Sequence, residues 1–459
     1  MMYNLLQKWF HKQKRKKKMI IQTENKYCWH WILLCFLIAH SKGFSQRPNI
    51  IYIMTDDMGY GDLSCYGQKK FRTPHLDKLA SEGIRFVNAY SAAPVCTPTR
   101  TALMTGRYPA KTPVGLLEPL RGPIIDSAYG LDKSIPNLAL MLKEGGYATA
   151  LVGKWHLGFM PHQSPRQNGF DYFYGILSGG ADYISHKGSN RMKAHDLYEN
   201  ENMVYHEGYL TELISSRSAA YILQKHDKPF FLNINFTAPH WPWQAPGDPA
   251  YPDSMDFTAG GSPETYALMM KSLDEGIGKI MAALEEAHLT DHTLVIFTND
   301  NGGEKYSDQG GLTHSKMTLW EGGISVPAFV RWPGKIKGGT TTQQAVITMD
   351  WTATMLRAGG AKPHPDFPLD GIDLMPILSG YRKNIDRTLY WRTFQRTQQK
   401  AMRQGKWKYL QDEKGAYLFD LSTDRTEKNN LCDKEKRRFQ KMKEQYVRWE
   451  KTVLKPIPL

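Results

Sequence analysis

Four runs of consecutive apolar residues punctuate the chain, and each ends in polar chemistry. "NIIYIMTDD" runs into Asp56 and Asp57, "ATALVGKWH" into Lys154 and His156, "PFFLNINFTAPH" into His240, and "HTLVIFTNDN" into Asp300 and Asn301. Runs of this length, with no alternation of polar residues, suit strands buried on both faces of a parallel sheet. Amphipathic helical patterns lie between them. "TPHLDKLASEG" opens on Thr-Pro and stops at Gly83, and "SIPNLALMLKEGG" opens on Ser-x-Pro and stops at Gly145. "ETYALMMKSLDEGIGKIMAALEEAH" is a longer one. Strands alternating with helices predict an α/β sandwich around a mainly parallel sheet. The polar residues all fall at the carboxyl ends of the strands, the edge at which open α/β sheets bind ligands.

Beyond about residue 380 the pattern changes. "TLYWRTF", "KAMRQGKWKYL" and "AYLFDL" read as short strands joined by turns, and "KEKRRFQKMKEQYVRWEKTVL" reads as a charged amphipathic helix. This predicts a small antiparallel sheet with a closing helix. The expected organisation is a leader over residues 1–45, an α/β domain over 46–379 and a C-terminal subdomain over 380–459.

The leader rests on the run "WHWILLCFLIA", Trp29–Ala39, which follows a basic stretch and precedes small or polar residues. A membrane-spanning helix needs about 20 apolar residues, so this shorter run reads as the core of a secretory signal, with cleavage near Ser45. The stretch before Met19 is long for such a signal; either the chain starts at Met19 or the segment is a signal anchor. Export to the periplasm or beyond is expected, with no stable membrane span after cleavage.

Composition changes this picture little. The 459 residues are 41% hydrophobic and 23% charged, as in a globular protein. The formal charge of +14 is inflated by the leader, which holds nine Lys and Arg and one acid; the body carries +6. A modestly basic body suits an anionic substrate, and equally a solvated surface. No nucleic-acid partner is expected. Three cysteines remain after cleavage, Cys65, Cys96 and Cys432, too few for a disulfide framework. A Cys65–Cys432 bridge stays open.

Asp56, Asp57, Asp300 and Asn301 together offer hard oxygen ligands, suited to Ca²⁺ and less to Mg²⁺, whereas no Cys/His cluster has zinc spacing. Either pair alone reads as readily as a helix cap or a turn. Lys154 and His156 flank Trp155, so an extended segment points both to one side, where they could grip an anion and move a proton. His240 lies in the proline-pinned loop "APHWPW" and Lys316 in "HSKMTLWEGG"; each alone reads as a packed histidine or a solvated lysine. Trp241, Trp243, Tyr183 and His186 are candidates for a sugar subsite or for loop packing.

In "APVCTPTRTALMTG", Pro98 suits the first turn of a helix and Gly106 its end. Cys96 therefore falls at a helix N-terminus, where the dipole favours an anion, with Arg100 four residues on along the same face. From the residues alone, this is a thiolate nucleophile or a buried structural cysteine.

These motifs resemble the sulfatase family. Its Cys-x-Pro-x-Arg signature is present as Cys96, Pro98 and Arg100, inside the extended form "CTPTRTALMTGRYP". "PNIIYIMTDDMGYGD", "GYATALVGKWHLG", "APHWP", "TNDNGG" and "KMTLWEGGISVP" follow in the family's order, from about residue 47 to the C-terminus. "GFDYFYGILSGGADYISH" resembles the N-acetylgalactosamine-4-sulfatase branch of the arylsulfatase type. The resemblance implies an alkaline-phosphatase-like α/β sandwich. It also implies that a maturation enzyme, acting on the unfolded chain, oxidises Cys96 to Cα-formylglycine (3-oxoalanine). The hydrated aldehyde then attacks sulfur and later helps expel sulfate.

By the same resemblance, Asp56, Asp57, Asp300 and Asn301 are calcium ligands, with residue 96 completing the sphere. Arg100 supports the formylglycine, Lys154 and Lys316 bind sulfate, His156 is the base that deprotonates the hemiacetal, and His240 is a substrate contact near the leaving oxygen and a candidate general acid. Before Lys316, "LTHSK" replaces the family's glycine-rich run, and His314 there either contacts substrate or packs. His186 is a further substrate-binding candidate. The implied partner is a sulfated carbohydrate or an aryl sulfate ester. The rivals are a phosphonate or phosphate ester hydrolase of the same fold and a catalytically inactive, glycan-binding relative.

Overall fold

In a computed structural model, which describes residues 2–16, 47–122, 125–126, 128–189 and 193–458, the four apolar runs become neighbouring parallel strands. They are β1 (Asn49–Thr55), β2 (Ala148–Gly153), β3 (Phe230–Asn235) and β4 (Thr293–Asn299), lying in the order β4-β1-β3-β2. Among the described residues the sheet has ten strands, with Ala328–Arg331 added antiparallel beyond β4 and Tyr172–Ile176 added parallel beyond β2. Both faces are buried. Along β1, Ile50, Tyr52 and Met54 enter one apolar cluster, and Ile51 and Ile53 enter the other. Absence of polar alternation is what such a strand requires.

Helices cover both faces. Those that matter below are α1 (Pro74–Ser81), α2 (Cys96–Thr105), α3 (Leu138–Glu144), α4 (Leu210–Leu223), α5 (Pro263–Glu286) and α6 (Thr348–Gly359). Leu103 of α2, Leu138 of α3 and Trp351 of α6 pack on one side, and Leu76 of α1, Ile214 of α4 and Leu273 of α5 on the other. The helix expected from Ser-x-Pro begins later than that signal. Its cap is Asn137, whose side chain accepts the Leu140 N–H at 3.2 Å.

The C-terminal residues form an antiparallel sheet of β5 (Thr388–Arg392), β6 (Lys400–Gln404), β7 (Trp407–Asp412) and β8 (Gly415–Asp420), closed by α7 (Lys436–Glu450). One apolar cluster holds Leu389, Trp391 and Phe419 of this sheet together with Ala102 of α2 and Trp320, so the sheet packs against α2. Residues 48–459 form one compact unit.

Residues 2–16 form a separate, exposed helix. The apolar run Trp29–Ala39 and the cleavage point near Ser45 lie outside the described residues. Among the described residues, no helix is long and apolar enough to cross a membrane. Cys65, Cys96 and Cys432 are free thiols, so the Cys65–Cys432 bridge left open by the sequence is not formed.

Candidate active site

Strand register alone brings the acidic pairs together. Thr55 of β1 pairs with Asn299 of β4, so Asp56 and Asp300 leave adjacent strands at the same level. Asn235 of β3 pairs with Gly153 of β2, so Lys154 leaves there too, its N–H on the Asn235 carbonyl at 2.8 Å. The Asp57 N–H donates to Asp300 Oδ1 at 3.4 Å, and Asn301 Nδ2 donates to Asp57 Oδ1 at 2.7 Å. Asp57 holds a left-handed φ of 63°, a conformation uncommon outside glycine.

This cluster fits a hard dication. Asp56 Oδ1 and Asn301 Oδ1 are buried with no hydrogen-bond partner, which costs about 1–3 kcal/mol each unless a cation meets them. Atoms of Asp56, Asp57 and His240 lie within 4.8 Å of one another. The donor set is mainly carboxylate and amide oxygen, which suits Ca²⁺ or Mg²⁺. Burial first, and then the Asp56 charge, push Asp300 up to about 7. Burial would also raise Asp57, but the Lys316 ammonium overrides it and holds that carboxyl well below its ordinary value.

Helix α2 carries Cys96 and Arg100 into the same place. It starts at Cys96 and ends at Gly106, whose φ of 66° is the left-handed turn expected of a terminal glycine. Arg100 donates from Nε and Nη2 to Asp300 Oδ2 at 3.2 and 2.9 Å, and from Nη1 to the Lys154 carbonyl at 3.2 Å. Cys96 is buried at the helix N-terminus, and burial pushes its thiol up despite Lys154 nearby. Of the two readings left open by the residues alone, this burial favours a neutral thiol over a thiolate.

The two histidines are held in defined tautomers. His156 Nε2 sits 2.9 Å from the Leu120 carbonyl, so it carries the proton. Its Nδ1 is buried and unpartnered. Burial and then Lys154 hold the ring well below its ordinary pKa, so Nδ1 presents a lone pair. The backbone here is not extended as expected, because His156 has a φ of 55°. His240 Nδ1 lies 2.5 Å from the Trp241 carbonyl, while its Nε2 faces Asp57 Oδ2 at 3.5 Å. Burial pushes His240 down to about 3. Tyr183 is not a subsite wall; its hydroxyl donates to the His240 carbonyl at 2.9 Å and fixes that loop.

A cavity of about 470 Å³ opens over these groups, walled by Cys96, His156, His240, Trp241 and Lys316 among others. Lys316 Nζ pairs with Asp57 Oδ2 at 2.5 Å and Glu304 Oε2 at 3.2 Å. Three expected substrate contacts stand off the wall. Lys154 is fully buried beneath it, its Nζ drawn to Asp56 Oδ2 at 2.5 Å. His186 is packed in its own loop against the Gly208 carbonyl at 3.0 Å. His314 is exposed and lies against the Trp320 ring, with centroids 5.0 Å apart. Trp243 is likewise buried, against Tyr306.

The site also contains residues that sequence reasoning passed over. Glu304 is on the wall, pushed up to about 7 by burial; it follows "NDNGG" directly, and that adjacency was the available signal. Gly179 lies so close to His156 that a Cβ there would sit 2.6 Å from the ring Cε1, and one on Gly180 would sit 3.1 Å from His240 Cε1. The doublet in "LSGGAD" was its mark. Arg396, from the C-terminal sheet, is also on the wall and had no sequence signal.

Residues 48–361 match the family model described as sulfatase, and residues 312–451 match that of the N-sulphoglucosamine sulphohydrolase C-terminal region. Arylsulfatase J of Mus musculus is 36% identical over 350 residues, covering 74% of this chain and 57% of its own length. The chain thus spans little more than half of that relative. N-acetylgalactosamine-6-sulfatase of Homo sapiens is 34% identical over 381 residues, covering 76% of this chain and 69% of its own. Of the solved structures, Ps i-CgsB in complex with k-i-k-neocarrahexaose superposes with a TM-score of 0.78 at 31% identity, covering 88% of this chain and 93% of that one.

Proposed function

The chain belongs to the sulfatase family, a family of sulfuric ester hydrolases, and on that premise we propose that it hydrolyses a sulfate ester on a sulfated carbohydrate. The observation that carries this reading is the convergence of Cys96, Arg100, the Asp56–Asp57 and Asp300–Asn301 pairs and two tautomer-fixed histidines at one sheet edge. A leaderless, exported form is part of the same reading. Relatives named for the 6-sulfate of N-acetylgalactosamine and a structure solved with a neocarrahexaose support a sugar substrate. The 4-sulfatase branch suggested by the sequence gains no support from them, and the sugar position is left to assay.

Asp56, Asp57, Asp300 and Asn301 would hold a Ca²⁺ ion, which supplies positive charge against the sulfuryl oxygens. Cys96, once converted to formylglycine, supplies through its hydrate an oxygen nucleophile that a thiol does not. The remaining work belongs to the chain. Lys316 offers a positive charge at the cavity wall, and Lys154 one from beneath it; both lysines now lean on Asp57 and Asp56. Arg100 orients Asp300 and the Lys154 backbone. His156, protonated on Nε2, is set to take a proton at Nδ1. His240 is neutral as it stands and needs the charge of the anionic ester to carry a proton on Nε2 for the leaving oxygen.

The test is release of inorganic sulfate from a panel of sulfated amino sugars, galactans and a nitrophenyl sulfate, with matched phosphate esters alongside. Sulfate release with little phosphate release is expected; the reverse preference sinks the reading. In the same panel, His240→Ala should slow the sugar sulfates more than nitrophenyl sulfate, by about 10²–10⁴-fold if the residue is a general acid. Equal losses would reduce it to a binding role.

A further inference from the structure

The loop joining β5 and β6 leaves the C-terminal sheet and reaches the wall of the catalytic cavity, and it is clamped from both sides. The Glu118 carboxylate accepts the N–H groups of Phe394 and Gln395, each at 2.9 Å, and Gln395 Oε1 accepts the Glu118 N–H at 2.8 Å. On the other side, Thr397 Oγ1 donates to the Met317 carbonyl at 2.9 Å, one residue from Lys316. Between these anchors sits Arg396, on the cavity wall and exposed.

Its guanidinium makes no ion pair, hydrogen bond or ring contact among the described residues. Among the described residues, each of the other cations at the site has an acidic partner. Arg100 is on Asp300, Lys154 on Asp56, Lys316 on Asp57 and Glu304, and Arg121 on Asp126 at 3.3 Å. Depth separates Arg396 as well. Cys96, His156 and His240 are only 2–3% exposed, at the cavity floor, whereas Arg396 stands at the mouth. A guanidinium with fixed backbone and free donors at the mouth of an anion-binding cavity is built for bidentate contact with an oxyanion. The scissile sulfate is met at the floor, so the mouth addresses another group.

We propose that Arg396 is a specificity-determining residue that pairs with a second anionic substituent of the substrate, a carboxylate or another sulfate, near the scissile one. This rests on the sulfatase reading above. The C-terminal sheet would then select the substrate while the main sheet supplies the chemistry.

The test compares wild type with Arg396→Gln on four compounds. These are nitrophenyl sulfate, a singly sulfated amino sugar, the same sugar bearing two sulfates, and the singly sulfated sugar linked to a uronic acid. The loss in kcat/KM on one doubly anionic sugar should exceed the losses on the first two compounds by about 10- to 100-fold, mainly through KM. Arg396→Lys should recover part of it. Which of the two sugars responds tells second sulfate from carboxylate. Similar losses on all four compounds, or no loss on any, overturn the proposal. Equilibrium binding of the same sugars in a Cys96→Ala background keeps the two readings apart. Arg396-dependent binding without wild-type turnover sinks the hydrolase and not this inference; turnover without Arg396-dependent discrimination does the opposite.

Discussion

At Asp300, burial and the Asp56 carboxylate push the side chain up to about 7, while Arg100 and Lys154 pull against them. A carboxyl must be ionised to hold a cation, so binding below that pH expels a proton. The sign is fixed: Asp300 is protonated below about 7 in the ion-free protein, so Ca²⁺ affinity should climb with pH up to that point and then level off. Calorimetric titration across this range, in buffers of different ionisation enthalpy, reads both the affinity and the proton. Asp300→Asn should flatten the slope, and an affinity independent of pH in wild type would refute the assignment. Residues of this kind were legible in the sequence because strand ends mark them. The burial of Lys154 beneath the cavity was not, since it depends on Asp56 lying across two strands. The tautomer of His156 was set by the Leu120 carbonyl, 36 residues away in the chain.

Elements place these residues through close backbone approach. Helix α2 was foreseen from Pro98 and Gly106, which act locally. Helix α3 was misplaced at its start because Asn137, not Ser134, provides the capping oxygen. The role of Gly179 and Gly180 is not legible locally, because the need for glycine there comes from histidines on other strand ends. At Gly179 an added methyl would stand 2.6 Å from His156 Cε1, and the ring, tied to Leu120 by Nε2, has little room to move. Gly179→Ala should therefore lower kcat by at least about tenfold, as a misplaced base would, while thermal unfolding shifts by only a few degrees. Full activity in this variant would show that the ring relaxes freely. A collapse of stability would show that the loop is structural.

Across the whole molecule, the site is gathered from segments that run from Asp56 to Arg396, which only the folded sheet brings together. The C-terminal sheet is bound into this assembly by buried charge. Lys408 of β7 pairs with Glu321 at 2.9 Å and Glu427 at 2.7 Å, all three buried, and Glu321 closely follows the Lys316 loop. The fold class was legible because continuous apolar strands and amphipathic helices repeat along the chain. The reach of the β5–β6 loop into the cavity was not, because it depends on how the C-terminal sheet docks, and no local pattern encodes docking. The proposed chemistry turns on Cys96 as the precursor of the group that attacks the sulfate ester. Its most direct test is ion-chromatographic assay of sulfate released from a sulfated amino sugar by wild type and Cys96→Ala, both produced with a formylglycine-generating enzyme and both checked for native unfolding. Wild type, whose residue-96 peptide carries the aldehyde, should release sulfate steadily, and Cys96→Ala none above background; equal release by the two proteins would overturn the role of Cys96.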